Sequence, residues 1–308
     1  MSPLPRSDDA TPTALHWQVG DVSITRIAET CSPFDRAFLC PNADPETFER
    51  HCDWLYPDFV TEDGEILLSI HALLIRSDGQ NILVDTCLGE GFDFGVFPDA
   101  GTAFLDGLRD AGLERGDLDV VLCTHLHYDH IGWNTMLEEG RRVPTFPNAR
   151  YLFGKREYDY WVGLEETDFP TTLAECVQPI LEAGLASFVE SDHRITPDIS
   201  LVASPGHTPG HVSVAIESQG ETAFITGDAV VHPVQWAEVE WGNARVDHDI
   251  ALATRVRRAL RDRYGDRDAL VIGSHFAPPT AGYVRRGRGG WWFEGAAPNR
   301  DPGKQRRR

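Results

Sequence analysis

The sequence predicts an α/β protein in which two β-sheets pack face to face between outer layers of helices. Strand-like apolar runs occur in both halves of the chain, and each half also contains a segment with helical apolar spacing. Each sheet and helix must bury an apolar face, and a helix-sheet-sheet-helix sandwich buries all of these faces. We assign residues 14–296 to one such domain, with flexible termini at 1–13 and 297–308.

The first half of the chain provides the elements of one sheet. Residues 14–28 and 66–86 are predicted to form strands, and the SDGQN stretch at 77–81 predicts the turn of a hairpin. The segment 102–113 has the apolar spacing of a helix, and the run 117–124 then predicts a buried strand. This last strand leads directly into a cluster of histidines.

The second half provides a second set of strands. Residues 134–198 are rich in aromatic side chains and have mixed helical signals, which favour a lid-like or packing insertion. Strands and one helix are predicted beyond it. The strands are at 199–206, 211–218, 222–228 and 269–275, and the helix at 249–265 ends at Gly265, a usual helix terminator.

Charge and cysteine content exclude several function classes. The 308-residue chain has 48 Asp and Glu against 28 Lys and Arg, and its formal charge of -20 argues against a nucleic-acid or anionic-membrane binder. Six scattered cysteines without a CxxC pair suit reduced thiols, and neither a signal peptide nor a long apolar span is evident. We therefore expect a cytoplasmic protein that acts on a small molecule.

The stretch THLHYDH at 124–130 predicts a metal site. Side chains two positions apart on a strand point to the same side, so His125 and His127 can share one ion. Asp129 and His130 follow after the chain turns, which allows a second ion close to the first.

Three further ligand candidates also follow predicted strands, where the loops of α/β sheets converge. They are His207 in SPGHTPGH, Asp228 in TGD and His275 in GSH. Five histidines and two carboxylates without a thiol suit two zinc ions or other borderline divalent ions. We assign His125, His127 and His207 to one ion, Asp129, His130 and His275 to the other, and Asp228 as a bridge. Two ions about 3.5–4 Å apart can share a hydroxide and polarise a substrate oxygen.

These motifs, in this order, resemble those of the metallo-β-lactamase superfamily over about residues 66–276. The resemblance implies an αββα four-layer sandwich, a homodimer, and roles for Asp85 and His211 in orienting the ligands. With Asp at position 228 and a complete ligand set, the pattern is similar to the acyl-homoserine lactonases and methyl parathion hydrolases. Class B β-lactamases commonly have a Cys near the second ion instead.

One position departs from the lactonase pattern. Lactonases typically have a Tyr three residues after the bridging Asp, whereas this chain has Val231, followed by His232. His232 is either a donor to the oxyanion or a packing residue. We predict that Asp129, Asp228 and His232 take part in catalysis. Aromatic side chains are expected to line the substrate pocket; they are Phe92, Phe94, Trp133 and Trp236.

The sequence therefore predicts a dinuclear zinc-dependent hydrolase that cleaves a lactone, a carboxylic ester or an organophosphate triester, with Mn, Co or Fe as other metals. The alternatives are an iron-dependent persulfide dioxygenase and a glyoxalase-II-like thioester hydrolase. The dioxygenases use one iron and leave the second-ion positions unfilled, whereas Asp129, His130 and His275 are all present here. The acidic charge disfavours nucleic-acid processing.

Overall fold

The computed structural model of the protein describes residues 15–92, 103–164 and 170–298. Seven strands form the first sheet, in the order β1-β2-β3-β4-β5-β8-β9. These strands are β1 (His16–Val19), β2 (Val22–Phe34), β3 (Ile66–Ser77), β4 (Gln80–Val84), β5 (Val120–Cys123), β8 (Arg150–Gly154) and β9 (Ala186–Val189). A separate hairpin consists of β6 (Thr135–Glu138) and β7 (Arg141–Pro144).

Seven more strands form the second sheet, in chain order. They are β10 (Arg194–Thr196), β11 (Ile199–Ala203), β12 (Val212–Ser218), β13 (Glu221–Ile225), β14 (Ala269–Ile272), β15 (Ala281–Gly287) and β16 (Gly290–Gly295). Neighbouring strands are antiparallel except for β13 and β14. In the first sheet, β4, β5, β8 and β9 run parallel, so their carboxyl ends meet at one edge.

The helices cover the outer faces of the two sheets. They are α1 (Arg36–Leu39), α2 (Pro45–Leu55), α3 (Ala103–Asp110), α4 (Tyr128–Ile131), α5 (Lys155–Val162), α6 (Pro170–Cys176), α7 (Gln178–Glu182), α8 (Val234–Ala237) and α9 (Ile250–Tyr264). The longest, α9, begins where the Asp249 side chain accepts a hydrogen bond from the Leu252 N–H and ends before Gly265.

Alternation of side chains along the strands produces three apolar layers. In β5, Val120 and Leu122 pack between the sheets, while Val121 packs outward with Phe104 of α3. In β14 the same rule places Val271 against the α9 side of the second sheet. The chain is therefore a helix-sheet-sheet-helix sandwich, and the predicted αββα fold class is confirmed.

The predicted elements correspond to observed ones with shifted ends. The 66–86 segment forms β3 and β4, joined by a turn in which Asp78 and Gly79 have φ of 52° and 73°. The helix predicted at 102–113 is the shorter α3, and the helix predicted at 249–265 is α9. Propensity locates such elements well, whereas their ends depend on capping contacts.

The prediction for residues 134–198 was wrong. This segment is not a lid-like insertion, because β8 and β9 extend the first sheet as parallel strands beside β5. The buried run from Tyr151 to Phe153 packs on both faces of that sheet. The aromatic residues and mixed helical signals of the segment concealed β8, a short strand whose residues from Tyr151 to Gly154 are all buried.

Among the described residues, no helix is long and apolar enough to cross a membrane. The predicted flexible terminus at 1–13 and most of the predicted tail at 297–308 lie outside the described residues. The domain bounds at 14 and 296 therefore stay predictions.

Candidate metal centre

The predicted ligands all follow strands that end at one edge of the sandwich. His125 and His127 lie just after β5, and His207 lies in the loop between β11 and β12. Asp228 lies in a single helical turn after β13, and His275 lies just after β14. Strands of both sheets end at this edge and so bring together residues that are far apart in the chain, as predicted.

Three imidazoles form the first ligand group, which consists of His125, His127 and His207. The Nδ1 atom of His127 lies 2.9 Å from Nε2 of His125 and 2.8 Å from Nε2 of His207. The remaining pair of Nε2 atoms, on His125 and His207, is 3.2 Å apart. Three nitrogen atoms thus converge on one point, and this set can hold an ion.

Two imidazoles and one carboxylate form the second ligand group, which consists of Asp129, His130 and His275. The Nε2 atoms of His130 and His275 are 3.1 Å apart. The Oδ2 atom of Asp129 lies 3.5 Å from Nε2 of His275 and 3.8 Å from Nε2 of His130. This set can also hold an ion.

The Asp228 carboxylate lies between the two groups. Its Oδ2 atom is 3.3 Å from Nε2 of His207 and 3.9 Å from Nε2 of His125, in the first group. Its Oδ1 atom is 3.3 Å from Nε2 of His130 and 3.2 Å from Nε2 of His275, in the second group. Each oxygen therefore faces a different group, which is the arrangement that a bridging carboxylate needs.

Two contacts orient the histidines of the second group. The Nδ1–H of His130 donates to Oδ2 of Asp85 at 2.8 Å, and the Nδ1–H of His275 donates to the Ser69 carbonyl oxygen at 3.0 Å. Both contacts direct the Nε2 lone pair toward the centre. Asp85 has φ of 62°, an unfavourable value for a residue with a side chain, and its other oxygen accepts the Thr124 N–H at 2.8 Å.

His211 holds the backbone of Asp228, the residue between the two ligand groups. Its Nε2 accepts a hydrogen bond from the Asp228 N–H at 2.8 Å, and burial lowers the pKa of His211 to about 3, so the ring is neutral. Gly227 has φ of 52°, and a Cβ there would lie 2.5 Å from Nε2 of His211. The glycine before Asp228 is therefore required by the ring that positions Asp228.

Sequence reasoning missed Asp247. Its Oδ1 atom lies 3.4 Å from Nδ1 of His207, and both NH groups of the buried Arg257 donate to its Oδ2 at 3.2 Å. Burial opposes ionisation, but His207 and Arg257 lower the pKa of Asp247. Asp247 stands in a loop without a motif, so no local signal marks it.

The two groups differ in the direction in which the pKa of their histidines is shifted. Burial and the neighbouring imidazoles hold the pKa of His125 and His127 well below the ordinary value, so these rings are neutral. Burial would also lower the pKa of His130 and His275, but the carboxylates around them outweigh it and raise both. Burial is likewise outweighed at Asp228, where the facing histidines hold the pKa well below its usual value.

A cleft of about 340 Å³ opens onto the centre. His127, Asp129, His207, Asp228 and His275 line its floor. Apolar side chains line the walls; they are Phe38, Leu39, Leu68, Ile70, Val231 and Val246. A larger surface hollow of about 490 Å³, between α2 and β16, contains none of the seven ligand candidates, so its volume alone does not make it a reaction site.

The structure does not bring His232 to the centre. Its ring is fully buried, Nε2–H donates to the Phe59 carbonyl oxygen at 2.9 Å, and Nδ1 accepts from the Val234 N–H at 3.3 Å. Burial lowers its pKa to about 4. Val231 lines the cleft instead. His232 is thus a packing residue, and its predicted catalytic role was wrong, because both ring nitrogens are engaged by backbone groups away from the cleft.

The predicted aromatic pocket was also wrong where it can be checked. Trp133 is fully buried, stacks on Phe104 and donates to the buried Glu29 at 2.7 Å. Trp236 is fully buried on the outer side of the second sheet. Phe92 packs beneath the Arg142 guanidinium and does not line the cleft. Phe94 lies outside the described residues.

The residues present fit two divalent ions. Five histidine nitrogens and the carboxylates of Asp129 and Asp228 converge without a thiol, a donor set that suits zinc and similar ions. Three of the histidines have their outer nitrogen against a carboxylate or a carbonyl, as metal-ligating histidines almost always do.

Comparisons with known proteins agree with this geometry. A family model described as the Metallo-beta-lactamase superfamily matches residues 66–275. The chain is 30% identical over 206 residues to an N-acyl homoserine lactonase of Bacillus sp, across 62% of this chain and 76% of that protein. It is 29% identical over 182 residues to N-acyl homoserine lactonase AiiA of Bacillus thuringiensis subsp. kurstaki, across 54% of this chain and 66% of that protein.

Two solved structures have the same overall fold. The dizinc quorum-quenching lactonase AidC, in complex with a product, has a TM-score of 0.76 at 21% identity, over 93% of this chain and 98% of that one. The hydrolase AbOPH of the beta lactamase superfamily has a TM-score of 0.78 at 22% identity, over 95% of this chain and 99% of that one. At this identity the likeness concerns the fold alone.

Proposed function

The chain belongs to the metallo-beta-lactamase superfamily and is a metal-dependent hydrolase, and from that premise we propose that it uses two divalent ions, most readily zinc, to cleave an ester-like bond in a small molecule. One observation carries the proposal. The two oxygens of Asp228 face two complete ligand groups, one on each side. A single-ion enzyme needs only one of these groups.

In this proposal the first group would hold one ion, the second group would hold the other, and the Asp228 oxygens would serve one group each. Ions bound there would supply an activated water near neutral pH and would polarise a carbonyl or phosphoryl oxygen of the substrate. The chain itself keeps the ligands in place through Asp85, His211 and Asp247. Asp129 lies on the cleft floor with its side chain 16% exposed, where its carboxylate can accept a proton from the reacting groups.

The cleft favours a substrate with an apolar arm, and Asn243 and Arg245 add polar groups to its lining. Its walls are mostly aliphatic and aromatic, and Tyr128 lies beside the ligand residues. Val231 stands where the lactonases have a tyrosine, so no phenol at that position helps to stabilise the oxyanion. We propose a lactone as the first substrate class, because the curated relatives are N-acyl homoserine lactonases. Carboxylic esters and organophosphate triesters come next.

The test is a substrate panel on protein of defined metal content. Chelated protein, and the same protein reloaded with zinc, manganese or cobalt, would be assayed on acyl-homoserine lactones, aryl esters and phosphotriesters. We expect turnover of at least one class, its loss on chelation, and its return with metal. Failure of the protein with two bound ions to cleave any of the three classes would refute the proposed function.

A one-iron persulfide dioxygenase is disfavoured by the second ligand group. Asp129, His130 and His275 are together and held by Asp85 and Ser69, although such an enzyme would not need them. Thioester hydrolysis of the glyoxalase II type uses the same seven positions, so the panel should also include a glutathione thioester. Elemental analysis of the purified protein separates zinc from iron.

A further inference from the structure

A buried carboxylate with no cationic partner lies behind the first ligand group. Glu157, in the first turn of α5, is only 1% exposed. Among the described residues, no Lys, Arg or His lies within ion-pair distance of it. An unpaired buried charge is costly unless several hydrogen bonds satisfy it, so its contacts require an explanation.

Four donors satisfy this carboxylate. Its Oε1 atom accepts the Leu126 N–H at 3.1 Å and the Trp161 Nε1–H at 2.7 Å. Its Oε2 atom accepts the Thr208 hydroxyl at 2.7 Å and the Gly210 N–H at 3.0 Å. All four donors are neutral, and an ionised carboxylate has enough lone pairs for all of them.

Three of the four donors belong to the two loops that carry the first ligand group, and the fourth, Trp161, lies one turn along α5. Leu126 stands between His125 and His127, and Thr208 directly follows His207. The ring of Trp161 also lies edge-on to the His127 ring, with 5.4 Å between centroids. One carboxylate therefore ties together loops that are about eighty residues apart in the chain.

The close approach of these loops is built into the sequence. A Cβ on Gly210 would lie 2.2 Å from the backbone nitrogen of Glu157, so only glycine lets the loop come this near to α5. This close contact places the Gly210 N–H within hydrogen-bonding distance of the carboxylate. No comparable carboxylate links the loops of the second group among the described residues.

We propose that Glu157 is a positioning residue that sets the geometry, and hence the metal affinity, of the first ligand group without touching the ion. The inference rests on the proposed binding of two ions. Glu157 holds His125, His127 and His207 at the spacing of a three-nitrogen site, and its negative charge behind the site favours a cation there. Outer contacts of this kind typically change metal affinity by about 10–100-fold.

The test compares Glu157→Gln in two backgrounds that each retain one ligand group. His275→Ala disables the second group and His207→Ala disables the first. We expect Glu157→Gln to weaken zinc binding by about 10–100-fold in the His275→Ala protein and to leave it unchanged in the His207→Ala protein. An amide can accept at Oε1 only, so the Gly210 N–H loses its acceptor.

Cobalt absorption provides a readout that a general loss of stability would not change. Glu157→Gln should shift the cobalt spectrum of the first group only. The matched control is Asp159→Asn on the same helix, because Asp159 is exposed and pairs only with Lys155 among the described residues. If Glu157→Gln fails to fold, Thr208→Val removes one of the four donors and should give a smaller weakening at the same group.

The outcomes separate the two proposals. If the unsubstituted protein never binds two ions, the proposed function fails. If it binds two ions, and both Glu157→Gln and Thr208→Val leave the affinity and cobalt spectrum of the first group unchanged, the role of Glu157 is refuted. Equal weakening at both groups would also refute it, because that result indicates a general structural role.

Discussion

The two ligand groups of the centre differ in charge although they share one carboxylate. The first group contains three imidazoles, and two of them, His125 and His127, have a pKa held well below the ordinary value by burial and by the neighbouring imidazoles. The second group contains Asp129, and its two histidines have a raised pKa because Asp228 and Asp129 outweigh burial. The same residue type is therefore neutral in one group and favours a proton in the other.

This contrast has a consequence for metal binding. A histidine must be neutral to ligate, so His125 and His127 of the first group are ready for an ion at neutral pH. In the second group an ion must displace protons from His130 and His275. The outer contacts differ too: Asp247 and Glu157 stand behind the first group, whereas the Asp85 carboxylate and the Ser69 carbonyl oxygen hold the second.

Removal of the carboxylate that the two groups share should impair metal binding at both groups. We expect Asp228→Ala to lower kcat/KM for the best substrate by more than about 100-fold, the upper end of what outer contacts alone contribute. Both groups lose a ligand, so metal content should fall below two ions per chain. Elemental analysis and steady-state kinetics measure these effects. An Asp228→Ala protein that keeps two tightly bound ions would contradict the bridging assignment.

Substitution of one outer carboxylate at a time should weaken metal binding at one ligand group and leave the other group unchanged. We expect Asp85→Asn to weaken the ion of the second group by about 10–100-fold, because His130 loses the anion that orients it at 2.8 Å. Asp247→Asn should weaken the ion of the first group by less, since its contact with His207 is longer, at 3.4 Å. Competition with a chromophoric chelator gives both constants. The same loss at the same ion in both variants would contradict the division into two groups.

The pH dependence of metal binding should differ between the groups. Because the surrounding carboxylates raise the pKa of His130 and His275, an ion that binds there must displace protons over a wider pH range than at an ordinary histidine, and lowering the pH strengthens this competition. The affinity of the second group should fall by about tenfold per pH unit for each displaced proton once the pH lies below these raised pKa values. His125 and His127 are already neutral, so these two ligands should release no protons when the first group binds its ion.

Calorimetric titration in buffers of different ionisation enthalpy measures this proton release directly. The Asp247→Asn and Asp85→Asn proteins identify which ion releases the protons. Equal proton release at both ions would show that the groups do not differ in protonation.

The smallest effect on activity should come from His232. Because this ring packs against Phe59 and does not line the cleft, His232→Ala should leave kcat/KM and metal content unchanged. It should lower the free energy of unfolding by roughly 2–4 kcal/mol through a cavity and a lost hydrogen bond. Chemical denaturation measures this loss, and Val231→Ala is the neighbouring control that does face the cleft. A large drop in activity of the folded His232→Ala protein would restore its catalytic role.

Short-range patterns predicted most of the fold and the ligand groups. The apolar runs of β3 and β5 and the helical spacing of α9 depend on residues a few positions apart, so the chain itself shows them. His125 and His127 were predicted as one ligand pair from strand alternation, but both lie beyond the end of β5, and the turn there brings them together. β8 is buried on both faces as β5 is, but it was missed because its short run lies in an aromatic segment with mixed helical signals.

By itself the sequence determined the sandwich, the edge at which its loops meet and the side chains that gather there, because strand direction and residue spacing are local properties. Only the tertiary structure decided which polar groups stand behind the ligand side chains. Asp247 and Glu157 carry no motif, and Trp133 and His232 look like site residues until their partners are known. The physical reason is that a buried donor or charge takes whichever partner the folded chain brings within hydrogen-bonding distance, from any point in the sequence.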